Sequence, residues 1–184
     1  MSIYFKYLNL NVPILKDTAP LEDLKLQYQI DMHKSVREFV HLAFFRILSI
    51  KHAYIQHMES FYSCPNIKQG IHIDGQGGDY IKINYVIGGE NSVMNWYTPK
   101  STVDNKIQLT DVNSEYMSFN WDQVELVQSA NINPVSIVQV GVPHNITNPT
   151  SDRLCISMCI AHRHNQQRLT MAEAIDVFSE YIVD

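Results

Sequence analysis

Four side chains carry the chemistry legible in this sequence. His72 and Asp74 lie in Ile71-His72-Ile73-Asp74, His144 in Val142-Pro143-His144-Asn145, and Arg153 nine residues after that. Two imidazoles and one carboxylate fill part of the coordination sphere of an Fe(II) ion and leave the rest open, which is what O2 chemistry needs. Arginine is always protonated and presents its donors as a planar fork, so Arg153 is suited to hold a carboxylate co-substrate. The expectation is that three residues far apart in the chain meet at one ion-sized point, with a guanidinium some distance beyond it.

The elements that must position these groups read as β-structure. His72 and Asp74 end an apolar β-like run that opens onto Gly75-Gln76-Gly77-Gly78. Residues two apart on a strand share a face, so both can reach one ion. The competing reading is a surface histidine and a turn-forming aspartate. His144 follows the apolar stretch Val135–Val140 and a Gly-Val-Pro bend, where Pro143 fixes its own φ; its competing reading is a solvent-facing loop histidine. Arg153 opens a strand on which Leu154, Ile156, Met158 and Ile160 share one face, while Arg153, Cys155, Ser157 and Cys159 share the other. Small polar side chains aligned with an arginine suit a narrow polar pocket, against the alternative of an edge arginine paired with Asp152 or a glutamate. His33, His41, His52 and His57 show no shared ligand spacing, and His162-Arg163-His164 reads as a solvated stretch after the last strand.

Weak alternation over residues 3–12 predicts an edge strand. Between Asp31 and Ser49, Val36, Phe39, Val40, Ala43, Phe44 and Ile47 recur every three or four residues, which predicts one amphipathic helix. A short companion helix is expected over 21–30. From Lys51 onward the pattern predicts strands near 52–62, 70–74, 80–87, 92–97, 115–119, 124–128, 135–140 and 153–161, separated by Gly-, Pro- and Asn-containing turns. Many short strands without helices between them predict a sandwich or barrel. Thr170-Met171-Ala172-Glu173 has capping-box spacing and predicts a closing helix over 170–182. The expected organisation is one domain over 1–184: a helical and edge-strand part (1–50), a β-core (51–161) and the C-terminal helix (170–182).

Composition narrows the function classes. With 45% hydrophobic and 18% charged residues, the 184-residue chain has the balance of a globular protein with a substantial core. Its formal charge of −5 is spread along the sequence without a lysine or arginine run, so binding to nucleic acid through phosphate attraction is not favoured. The sequence shows neither a signal-peptide pattern nor an apolar stretch of membrane-spanning length. Its three cysteines lack CxxC spacing, which argues against a disulfide framework or zinc knuckle and makes a reducing cytoplasm the expected setting. No pattern encodes an oligomeric state.

The His72-x-Asp74 pair, the distal His144 and Arg153, with the flanking text Lys82-Ile83-Asn84-Tyr85-Val86-Ile87 and Asn95-Trp96-Tyr97, resemble the Fe(II)- and 2-oxoglutarate-dependent oxygenases. The similarity extends over about residues 50–161 and is to compact members of the kind frequent in marine bacteriophages. It implies a mainly β fold with flanking helices around a double-stranded β-helix, or jelly-roll, core. By this resemblance His72, Asp74 and His144 are the iron ligands, Arg153 anchors the distal carboxylate of 2-oxoglutarate, and Asn84 is a further contact near the iron. No catalytic side chain beyond the ligands is implied. A tyrosine from a neighbouring strand often assists, and Tyr62, Tyr80, Tyr85 and Tyr97 all qualify. One departure is Cys155, which stands where many members carry a serine and is a weaker hydrogen-bonding partner. The implied activity is O2-dependent hydroxylation of a small molecule, amino acid or protein side chain, with succinate and CO2 as co-products. Two alternatives stand beside it. A cupin-like metal- or sugar-binding protein would normally show His-x-His followed by Glu, which this chain lacks; a non-catalytic jelly-roll is the other. The substrate is not encoded: 100–113 is polar and long enough for a lid, and Trp96 and Trp121 suit either a pocket wall or a core.

Overall fold

β-branched and aromatic runs, broken by turn residues, form the strands that dominate the computed structural model, which describes residues 4–101, 105–132, 134–148 and 150–183. In chain order the strands are β1 (Phe5–Leu8), β2 (Gln29–Asp31), β3 (Ala53–Ser63), β4 (Ile67–Lys68), β5 (Ile71–Asp74), β6 (Ile81–Gly88) and β7 (Val93–Pro99). They continue with β8 (Gln108–Leu109), β9 (Glu115–Phe119), β10 (Val124–Ala130), β11 (Val135–Gln139), β12 (His144–Asn148), β13 (Arg153–His162) and β14 (Ile182–Val183). The helices are α1 (Val36–Phe39), α2 (Leu42–Ile50) and α3 (Met171–Val177).

One sheet runs β14-β1-β11-β6-β13-β3-β2; the other runs β10-β7-β12-β5-β9-β8, with β4 also paired to β12. Successive core strands alternate between them. β3, β6, β11 and β13 belong to the first sheet, and β5, β7, β10 and β12 to the second; between β6 and β11 the chain stays in the second sheet for β7, β8, β9 and β10. That winding is a double-stranded β-helix, so the fold is mainly β with flanking helices around a jelly-roll core. Between the sheets, Trp96, Met94 and Ile146 pack against Val138 and Phe5, and the Phe5 and Trp96 rings stack at 5.6 Å. The larger core lies on the other side of the first sheet, where Leu154, Ile156, Met158 and Ile160 meet Phe44 and Leu48 of α2, Ala174 of α3, and Phe178.

The flanking segments differ from the sequence expectation. The single helix over 31–49 is two short ones, because Val40 is extended (ψ 134°), fully buried and bridged to Leu15. The His41 ring then caps α2 by accepting from the Ala43 N–H at 3.1 Å. Over 21–30 there is only a 3-10 turn (Leu21–Lys25), after which β2 adds to the edge of β3. The strand expected over 3–12 is limited to Phe5–Leu8, and it is not an edge: β14 pairs on one side of it and β11 on the other. The closing helix stops at Val177 rather than 182, because the chain turns at Ser179–Tyr181 and pairs as β14 with β1. His162 ends β13 opposite Ala53 instead of following the strand, and its Nε2 lies 3.3 Å from Glu173. Among the described residues no helix is long and apolar enough to cross a membrane.

Candidate metal centre

His72 and His144 meet because their strands are neighbours: β12 lies against β5 with His144 directly opposite His72. β12 itself was not expected from the sequence, since Asn145, Thr147 and Asn148 hide it. Asp74, two residues after His72, points to the same side. The end of β5 is pinned by hydrogen bonds from the Asp74 N–H to the Val140 carbonyl (3.1 Å) and from the Gly75 N–H to the Glu115 carbonyl (2.7 Å). The Asp74 carbonyl also accepts from the Tyr80 hydroxyl. The loop after β5 then touches the segment that leads to His144. A Cβ on Gly141 would fall 1.8 Å from the Gly78 carbonyl oxygen, so a side chain there would force the two apart.

The imidazole Nε2 atoms of His72 and His144 lie 3.4 and 3.8 Å from Asp74 Oδ1. The three ligand-type atoms are all within 4.8 Å of one another, and the ring centroids are 4.5 Å apart. Each Nδ1 faces a backbone carbonyl, that of Gly70 at 3.0 Å for His72 and that of Val142 at 2.8 Å for His144. A carbonyl only accepts, so each Nδ1 carries the proton and donates, which leaves both Nε2 lone pairs aimed at the common point.

Two further residues complete the cluster. Lys82 on β6 places Nζ 2.8 Å from Asp74 Oδ2 and 3.1 Å from Glu59 Oε2. Glu59 on β3 also accepts from Gln29 Nε2 (2.8 Å) and Ser114 Oγ (2.5 Å). Burial penalises each of these charges, and the neighbours reverse the penalty. The Lys82 charge, and then a hydrogen bond that His72 can donate from Nε2 only when its ring is protonated, hold Asp74 well below the usual carboxylate range. Asp74 and Glu59 keep Lys82 well above the usual lysine range, and Lys82 with His57 and Ser114 lowers Glu59. The histidines diverge. Burial, together with the neighbouring His72, pushes His144 down to about 4. Burial also weighs against the charged form of His72, but its contact with Asp74 outweighs that and raises it. Neither Lys82 nor Glu59 stood out in the sequence: Lys82 alternates with Ile81 and Ile83, a pattern that normally marks a solvated strand face.

Arg153 is 2% exposed and lies on the inward face of β13 with Cys155, Ser157 and Cys159. Its aliphatic stem lies over Gly89, where a Cβ would come within 2.6 Å of Arg153 Cγ; Gly89 also has a φ of +66°. Arg153 Nε has no hydrogen-bond partner among the described residues. Asn84 faces the interior two residues from Lys82, with its Oδ1 accepting from Ser157 Oγ at 2.7 Å. Of the four candidate tyrosines, Tyr80 borders the cavity described next, whereas Tyr62 and Tyr85 pack on the helix-covered core and Tyr97 donates to Asn145 Oδ1 at 3.1 Å. Tyr28, not among those candidates, also lines it. Trp96 is core, with Nε1 donating to the Gln139 carbonyl at 2.9 Å, and Trp121 is half exposed beneath Lys68.

A cavity of about 1680 Å³ opens onto His72, Asp74, Lys82 and Glu59. Part of the polar segment expected as a lid, Leu109–Asn113, borders it; 102–104 lie outside the described residues. His33 and His57 stack at its edge with centroids 5.9 Å apart.

The class defined by strand order and cluster is a double-stranded β-helix that presents two histidines and an aspartate at one point. No protein-family model and no curated protein matches the chain. Solved structures with some likeness include HygX from Streptomyces hygroscopicus with iron bound, 9% identical over 84% of this chain and 80% of that one, TM-score 0.42. Another is an oxidoreductase of the 2OG-Fe(II) oxygenase family from Burkholderia pseudomallei, 12% identical over 63% of this chain, TM-score 0.37. This chain spans 47% of that protein's length. Oxalate decarboxylase from Bacillus subtilis is 10% identical over 62% of this chain and 23% of its own, TM-score 0.29. At such values the fold assignment rests on the strand order.

Proposed function

We propose that this protein is an Fe(II)- and 2-oxoglutarate-dependent dioxygenase that hydroxylates a small-molecule, amino-acid or protein side-chain substrate. The observation that carries the reading is the convergence of His72 Nε2, His144 Nε2 and Asp74 Oδ1 within 4.8 Å, with both Nδ1 atoms committed to carbonyls. The donor set fits a divalent iron: two neutral-imidazole lone pairs and one carboxylate oxygen held anionic. An anionic co-substrate is supported by Arg153, a buried guanidinium whose Nε has no partner among the described residues, since a buried donor without an acceptor is costly unless a ligand supplies one.

His72, Asp74 and His144 would hold the iron, and Arg153 would hold the far carboxylate of 2-oxoglutarate. Bound there, the pair supplies O2 activation for C–H hydroxylation, with succinate and CO2 released. The chain's own residues fix the geometry. Gly70 and Val142 set the ring orientations, the β5–β12 register sets the spacing, and Lys82 holds Asp74 ionised. The inter-sheet cluster of Trp96, Met94 and Ile146 closes one side of the interior to water, while the cavity on the other side admits the substrate.

Anaerobic addition of Fe(II) and 2-oxoglutarate tests the reading. A weak visible charge-transfer band is expected, and it should be lost in His72→Ala. An iron-free protein with no band would leave a non-catalytic jelly-roll.

A further inference from the structure

We infer that Lys82 is a positioning residue that restricts Asp74 to one-oxygen metal ligation, with Glu59 holding Lys82 in place. The inference rests on the proposed metal role of His72, Asp74 and His144. Its basis is the division of labour on one carboxylate. Both histidine Nε2 atoms face Asp74 Oδ1, at 3.4 and 3.8 Å, whereas the ammonium takes Asp74 Oδ2 at 2.8 Å. An aspartate free to rotate can offer both oxygens to a cation. A second oxygen on the ion would take one of the positions that a chelating co-substrate and O2 require.

The lysine is itself held. Its Nζ is 3.1 Å from Glu59 Oε2 and 5.8 Å from the centre of the Phe61 ring, and its side chain is 8% exposed. Glu59 is fixed in turn by Gln29 and Ser114. An isolated ammonium beside a divalent cation would repel it. With Asp74 and Glu59 both ionised the three side chains together carry one net negative charge, so the clamp does not oppose metal entry. Nothing on the outer face of β6 needs this arrangement, because Ile81 and Ile83 there belong to the apolar core.

The probe is Co(II), added anaerobically to the full chain, first alone and then with 2-oxoglutarate. In Lys82→Met the visible Co(II) absorption should change as the second Asp74 oxygen displaces a water from the ion. The affinity of the Co(II)-loaded protein for 2-oxoglutarate should fall about tenfold or more, the scale on which partners of metal ligands act. Lys82→Arg should restore both. Glu59→Gln/Lys82→Met, which leaves no unpaired buried charge, should reproduce the spectral change if the single variant does not fold. An unchanged Co(II) spectrum in the folded variants overturns the inference whatever happens to 2-oxoglutarate, because a lysine that only touched the co-substrate would give that result. A changed spectrum with unchanged 2-oxoglutarate affinity also overturns it. If the wild-type protein gives no Co(II) spectrum, the proposed function fails as well, which is a separate result.

Discussion

The two faces of β13 are equally buried but chemically opposite. Leu154, Ile156, Met158 and Ile160 are at most 2% exposed and face the helix-covered core; Arg153, Cys155, Ser157 and Cys159 are at most 4% exposed and face the space between the sheets. β6 repeats the contrast, with Ile81 and Ile83 outward and Lys82 and Asn84 inward. Apolar burial of the outer faces stabilises the sheet. The inner faces set polar groups in the same low-dielectric surroundings, where each costs free energy unless partnered. On β6 and β13 apolar packing is thus concentrated on one face and the polar groups of the candidate site on the other.

The sharpest way to break this comparison is on the inner side. Asp74→Ala should abolish turnover and lower iron affinity at least about 100-fold, at the upper end of what outer-shell changes cost. Near-normal 2-oxoglutarate consumption would refute the role given to Asp74. On the outer face, Met158→Ala should destabilise by about 2–5 kcal/mol by denaturant titration, with metal affinity of the folded protein unchanged. If metal affinity falls as well, the two faces are not independent.

Arg153→Met should separate the faces more finely. It should weaken 2-oxoglutarate binding by about 1.5–3 kcal/mol, spare iron binding, and leave the melting temperature of the ligand-free protein equal or higher, because an apolar side chain replaces an imperfectly paired buried charge. Unchanged 2-oxoglutarate affinity would move the anchor elsewhere.

The smallest effect is a pH dependence. The folded value of Glu59 is depressed, so its stabilisation is fully present above the unfolded value of about 4.3 and is lost as pH falls from there toward the lower folded value. The stability difference between wild type and Glu59→Gln should therefore be constant near neutrality and shrink below about pH 4. A difference independent of pH down to the acid transition would show that the Glu59 charge contributes nothing.

Much of the β-core was legible because strand residues alternate and turns announce themselves: β3, β5, β6, β7, β9, β10, β11 and β13 lie close to the segments read from period and punctuation. The helical reading of 31–49 failed because the apolar repeat continues through Val40, where the backbone leaves the helix to bridge Leu15. Period alone does not register that local choice. β12 was hidden by its own polar residues, although the histidine that opens it was singled out. Lys82 was missed for the converse reason: a polar residue alternating with isoleucine reads as solvated, and only a second sheet laid over that face makes it interior; Glu59, between Met58 and Ser60, carries no such local mark at all.

Residue type and spacing by themselves nominated the candidate groups, two histidines, an aspartate and an arginine, on segments whose period-two pattern assigns strand faces; of these the fold gathers His72, Asp74 and His144 at one point. Tertiary structure decided the rest. It set the β5–β12 register that brings His144 opposite His72, the carbonyls that orient both rings, and the ammonium that Asp74 shares with Glu59. The physical reason is that strand alternation is local and written in the chain, whereas pairing between strands and the dielectric of the enclosed space depend on contacts between residues distant in sequence.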